Sequence, residues 1–159
     1  MIALFHSAFV LLLVMLVWLT GTLPTFADGS EAKDLFSGVP LVEARVNLGN
    51  KANELVFEPS TLEFFAGKRY RLILKNPSSL KHYFTAKDFT DGIWTQKVEA
   101  GKVEVKGAIH EVELKPGAVA EWVFVPIKSG IYELHCSIPG HAEAGMVGTV
   151  KIVAPDQAV

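Results

Sequence analysis

Apolar and polar residues alternate along this chain in short runs, and turn residues interrupt every run. Tyr70, Leu72 and Leu74 fall on one side of residues 69–75, with Arg69, Arg71 and Lys75 on the other. Ala120, Trp122 and Phe124 share a side of 118–125, and Tyr132, Leu134 and Cys136 share a side of 131–136. A period of two with one polar face is what a half-buried antiparallel strand requires. Further runs fall at 44–48, 55–57, 61–65, 103–106 and 109–114, with a last β-branched run at 147–153. Between them lie Pro59-Ser60, Ala66-Gly67, Asn76-Pro77-Ser78, Pro116-Gly117, Ser129-Gly130 and Pro139-Gly140, all turn signals. Many short strands at this spacing predict an all-β, Greek-key two-sheet sandwich. Residues 87–101 are the least regular stretch and read as a loop with a short helix. The chain contains no internal repeat and no low-complexity tract.

The first 27 residues do not fit that pattern. They contain no Asp, Glu, Lys or Arg, and 8–19 are almost wholly apolar. Small residues occupy the −3 and −1 positions of a cut after Ala27, and charged residues begin at Asp28. This is the pattern of a secretory signal peptide, with His6 standing where Lys or Arg is usual. The rival is an uncleaved membrane anchor, for which the apolar run falls short of the ~20 residues a spanning helix needs. The expected organisation is a leader over 1–27, a loose segment over 28–40, one domain over 41–154 and a tail over 155–159. An exported protein of the periplasm or a photosynthetic lumen follows, with membrane association only if the leader persists. A monomer suffices.

Formal net charge is −2, and no lysine or arginine cluster occurs. Nucleic acid is therefore not an expected partner, since phosphate binding needs a concentrated basic surface. The single cysteine excludes an intramolecular disulfide and leaves a thiol to be accounted for.

That thiol lies in the most informative stretch, His135-Cys136-Ser137-Ile138-Pro139-Gly140-His141-Ala142-Glu143-Ala144-Gly145-Met146. A thiolate, an imidazole five residues on and a thioether five further occupy one loop between two predicted strands. Thiolate and imidazole suit copper or zinc, and a thioether suits copper far better. Structural zinc takes four Cys or His ligands, and this chain has one cysteine. Two His, one Cys and a weak axial Met form a blue-copper set. The second histidine must come from upstream. His135 alternates away from Cys136 along its strand and is discounted; His82 and His110 both remain.

Residues 132–150 resemble the metal-binding segment of the cupredoxin (blue copper) family, and the Cys-x4-His-x4-Met spacing resembles that of auracyanin and rusticyanin. Asn76-Pro77-Ser78-Ser79-Leu80-Lys81-His82-Tyr83-Phe84 is similar to the family's loop carrying the first histidine. The resemblance spans roughly residues 55–153 and implies one copper ion held by His82, Cys136, His141 and Met146. Many members have Asn directly after the first histidine. Tyr83 stands there in this chain, which leaves the link between the two ligand loops unassigned.

A site filled by four protein ligands leaves no open position for a substrate, unlike a catalytic metal. The expected function is therefore electron transfer between Cu(II) and Cu(I), not enzymatic catalysis. The alternatives are a copper carrier or buffer, or an accessory domain without redox duty. Pro139, Gly140, Ala142, Ala144, Gly145 and Val147 form an apolar surround for His141, suited to brief docking of redox partner proteins.

Overall fold

The computed structural model describes residues 38–155. The expected leader, most of the loose segment and residues 156–159 lie outside the described residues. Among the described residues no helix is long and apolar enough to cross a membrane.

Among the described residues, eleven strands and one short helix follow in order: β1 (Leu41–Leu48), β2 (Phe57–Glu58), β3 (Thr61–Phe65), β4 (Arg69–Lys75), β5 (His82–Thr85), α1 (Lys87–Thr90), β6 (Ile93–Ala100), β7 (Val103–Val105), β8 (Glu111–Leu114), β9 (Val119–Pro126), β10 (Gly130–His135) and β11 (Val147–Val153). One sheet has the order β2-β1-β4-β9-β6-β7 and the other β3-β11-β10-β5-β8. Two pairs, β1 with β4 and β3 with β11, are parallel; the remainder are antiparallel. Parallel neighbours need long crossovers, which here carry the chain from sheet to sheet. The expected all-β two-sheet sandwich is the observed one.

The alternation seen in the sequence becomes the packing. Tyr70, Leu72 and Leu74 of β4 are buried while their neighbours are half-buried or exposed. Leu62 and Phe64 of β3 and Ala120, Trp122 and Phe124 of β9 join them in one core. Phe64 stands at its centre. Its ring meets Tyr70 edge-on at 4.8 Å and Phe124 at 5.1 Å, and stacks on Phe89 at 5.9 Å. Offset and edge-on rings add to the burial of their area. Four residues of helix are unstable alone. The helix α1 persists because Phe89 is wholly buried and the Thr90 hydroxyl donates to Lys87 O at 2.7 Å.

Two stretches differ from the sequence reading. Residues 93–100, read as loop, form the eight-residue strand β6, paired with both β9 and β7. Its register on β9 slips between Thr95 and Lys97. A bulge puts two residues opposite one and reverses the faces beyond it, so no clean period of two appears in the sequence. His82, expected at the end of a turn-rich loop, opens strand β5. Elsewhere strand ends move by a few residues: β1 begins at Leu41, and the 55–57 run becomes β2 at Phe57–Glu58.

Candidate metal centre

Strand pairing brings the site together from two distant segments. β10 and β11 form an antiparallel ladder ending at His135 opposite Val147. The next pair inward is Cys136 and Met146, joined by Cys136 N–H donating to Met146 O at 3.1 Å. Residues opposite each other in such a ladder project to the same face. Cys136 and Met146 are thus both buried, at 1% and 0% exposure. Between them the loop folds back on itself: His141 N–H donates to Ile138 O and Met146 N–H to His141 O. That turn returns the His141 ring over Cys136, with Nδ1 3.4 Å from Sγ. His141 remains half-buried.

The second segment is β5, which pairs with β10 through Thr85 opposite His135 and with β8 from His82 opposite Leu114 to Thr85 opposite Glu111. Along β5, His82 and Phe84 face inward, and both are fully buried. The His82 and His141 rings lie 5.3 Å apart. His82, Cys136 and His141 each offer one donor atom, and the three atoms lie within 4.8 Å of one another. Ligands at 2.0–2.3 Å from a single ion are separated by roughly 3–4.5 Å, so one ion can bridge them with small adjustments. It is the single such cluster of His, Cys, Asp and Glu among the described residues.

The polar accounting supports a metal. His82 Nδ1 is buried and has no hydrogen-bond partner. An orphaned buried polar atom is rare and calls for an occupant. Burial first, and then the neighbouring His141 ring, holds the His82 imidazole below its ordinary pKa, so the ring is biased toward the neutral form that binds metals. The Tyr83 backbone N–H donates to Cys136 Sγ at 3.4 Å, a contact that stabilises a thiolate. One soft sulfur anion, two imidazoles and a buried thioether opposite the cysteine suit copper and not zinc.

The competing histidines are accounted for. His110 precedes β8, is exposed, and pairs through Nε2 with Asp91 Oδ1 at 2.9 Å. His135 faces away from Cys136, as alternation required, with Nδ1 3.0 Å from Glu133 Oε1. Neither joins the cluster.

Four contributors escaped the sequence reading. Gly49 follows β1 at φ +72°, and a Cβ there would lie 2.8 Å from His82 Nε2. Only glycine allows both this conformation and this approach. Ser78 Oγ lies 3.0 Å from the same nitrogen. Asn76, fully buried, shapes the turn before His82: it accepts Ser78 N–H and donates to the carbonyls of Leu80 and Leu114. The fourth is Glu111. One of its carboxylate oxygens accepts the Thr85 hydroxyl at 2.7 Å and the Ser137 hydroxyl at 2.6 Å. Thr85 is three residues beyond His82, and Ser137 directly follows Cys136. The link between ligand loops left open by Tyr83 is thus supplied by a carboxylate on β8, while the Tyr83 side chain donates outward to Glu113. Asn76 and Ser78 lay within a recognised turn signal and in the stretch resembling the family's first-histidine loop, but nothing in the sequence marked Gly49 or Glu111 as neighbours of the site.

Comparison with known proteins agrees with this geometry. The family described as copper binding proteins, plastocyanin/azurin family, matches residues 44–153. A copper-resistant cuproprotein, CopI, of Rubrivivax gelatinosus is 31% identical over 103 residues, covering 60% of this chain and 59% of its own. Its counterpart in Pseudomonas aeruginosa is 26% identical over 129 residues, covering 62% and 71%. The chain therefore spans about three-fifths of the first of these curated relatives. Among solved structures, reduced auracyanin of Roseiflexus castenholzii has a TM-score of 0.51 at 17% identity, covering 70% of this chain and 97% of that one. The copper-containing nitrite reductase of Thermus scotoductus has a TM-score of 0.53 at 16% identity, covering 70% of this chain and 31% of that one. Those two likenesses concern the fold. The match over residues 44–153, more than half of the chain, shows that it belongs to the plastocyanin/azurin family of copper-binding proteins, and copper is the ion its donors suit.

Proposed function

We propose that this protein is an electron carrier whose copper is held by His82, Cys136, His141 and Met146. The observation that carries the reading is the closure of the site: three donors converge within 4.8 Å, and Met146 stands buried opposite Cys136. Copper supplies the one-electron Cu(II)/Cu(I) couple. The chain's own work is to hold the donors still. The Cys136–Met146 rung, the β5–β10 pairing and the Glu111 clamp all resist rearrangement between the two states. A site filled by protein groups has no vacant position for substrate, which argues against an enzyme.

His141 is the exposed edge of this set, surrounded by the exposed residues Pro139, Gly140, Ala144, Gly145 and Val147 and the half-buried Ala142. Electrons enter and leave through its ring while a redox partner docks briefly on this small apolar surface. Two copies meeting through the same face exchange electrons with each other, which makes the surface measurable without a known partner. Ala144→Glu places like charges opposite each other in that encounter and should slow electron self-exchange by roughly tenfold or more, with the visible spectrum unchanged. A self-exchange rate equal to wild type would remove His141's face from the reading.

The apolar, uncharged stretch over residues 1–27 supports export to the periplasm or a comparable compartment. A second reading is copper handling in resistance, favoured by the printed description of the CopI relatives as copper-resistant cuproproteins. Visible spectra through repeated cycles of reduction and oxidation, on wild type and His82→Ala, separate the two. The carrier bleaches and recovers fully, and His82→Ala distorts or loses the band. Copper lost on each reduction would favour the handling role.

A further inference from the structure

The hydrogen bonds around Ser78 determine more than the position of His82. The Ser78 hydroxyl has one hydrogen and two acceptor lone pairs. Three partners surround it: Leu80 N–H donates at 2.9 Å, Leu80 O lies at 3.1 Å, and His82 Nε2 lies at 3.0 Å. Two arrangements satisfy the oxygen. In the first, the hydroxyl donates to Leu80 O and accepts from a protonated Nε2. In the second, it donates to a bare Nε2, and the ring proton moves to Nδ1.

The second arrangement fails on the other side of the ring. Nδ1 is buried without a partner, so a proton there would be a buried donor with nothing to accept it. Buried N–H groups without an acceptor are rarer than under-used buried acceptors, so the bare Nδ1 is the lesser penalty. The first arrangement leaves every hydrogen paired and Nδ1 with a bare lone pair, on the ring nitrogen that neither Ser78 nor Gly49 touches.

No competing acceptor stands at Nε2. Gly49 closes that side so tightly that even a Cβ would lie 2.8 Å away. Ser78 is itself immobilised, at 4% exposure, by Asn76, which accepts its backbone N–H at 2.9 Å. We propose that Ser78 is a positioning residue that selects the Nε2–H tautomer of His82 before metal arrives, presenting Nδ1 as a ready lone-pair donor. The consequence for copper rests on His82 being a ligand, as argued under the proposed function; the tautomer itself does not.

The test is a long-range 1H–15N correlation spectrum of the imidazoles in the metal-free full chain, with Cu(II) dissociation rates on the loaded protein. In wild type, His82 should show a protonated Nε2 and a bare Nδ1. In Ser78→Ala the preference should collapse to a mixture, and Cu(II) should leave roughly 10–100 times faster, the usual cost of losing a ligand's hydrogen-bond partner. A purely structural role would not move the tautomer. A wild-type His82 protonated at Nδ1 overturns the proposal whether or not the variant folds. So does a Ser78→Ala protein that keeps the Nε2–H form and the wild-type dissociation rate. An unchanged copper spectrum in His82→Ala would instead remove the ligand assignment and leave the tautomer result standing.

Discussion

Cys136→Ser should abolish the intense visible band of the copper-loaded protein completely. The colour of such a site requires a thiolate, and the chain has no second cysteine to replace it. Serine has nearly the same shape, and its hydroxyl can still accept the Tyr83 N–H that Cys136 Sγ now accepts. The fold should therefore survive, with a far-ultraviolet circular dichroism spectrum equal to wild type. What is lost is the soft anion at the centre of the cluster, with His141 Nδ1 3.4 Å from it. Absorption titration with Cu(II) is the measurement. A variant that retained more than a tenth of the band would mean that sulfur is not the ligand that colours the site.

Phe64→Ala should produce the largest loss of stability among single core truncations. The side chain is 1% exposed and contacts rings from three other elements: Tyr70 of β4, Phe89 of α1 and Phe124 of β9. Its removal leaves a cavity between rings that cannot all move inward, because each is anchored on its own strand or helix. Buried Phe→Ala changes cost about 3–5 kcal/mol, and the lost ring–ring contacts place this one at the upper end. Domains are stable by only about 5–15 kcal/mol, so the variant should unfold at markedly lower urea and at a melting temperature at least about 10 °C lower. Phe89 would lose one of its three ring contacts, keeping Phe124 and Tyr132, and α1 should exchange its amide protons faster than in wild type. A change below about 1 kcal/mol would mean that the aromatic cluster is not the keystone of the sandwich.

The two predictions rest on features of different visibility. Cys136, His141 and Met146 were legible because their spacing is local: one loop between two strands carries all three, and the ladder across its base fixes which face they share. The core was legible for a similar reason. On β3 and β4 the period of two runs unbroken through Leu62 and Phe64 and through Tyr70 to Leu74, while β9 alternates only from Val119 to Trp122 and is buried on both faces beyond. β6 was not legible, because its bulge between Thr95 and Lys97 reverses the pattern midway. β5 was too short, at four residues, for alternation to distinguish it from the turn before it.

By itself the sequence determined the fold class, the family and the closeness of Cys136, His141 and Met146 on one loop, because alternation, turn residues and loop spacing act between residues close in the chain. Residue spacing left His82 and His110 both open, the resemblance implied His82, and tertiary structure is what brings His82 beside Cys136. It also set Gly49 against the imidazole, put Ser78 at Nε2, and made Glu111 the tie between Thr85 and Ser137 across 26 residues of chain on each side. Those contacts depend on which strands become neighbours and in what register. That choice is made by the whole core at once, where a hydrogen bond between distant residues leaves no periodic trace in the residues that make it.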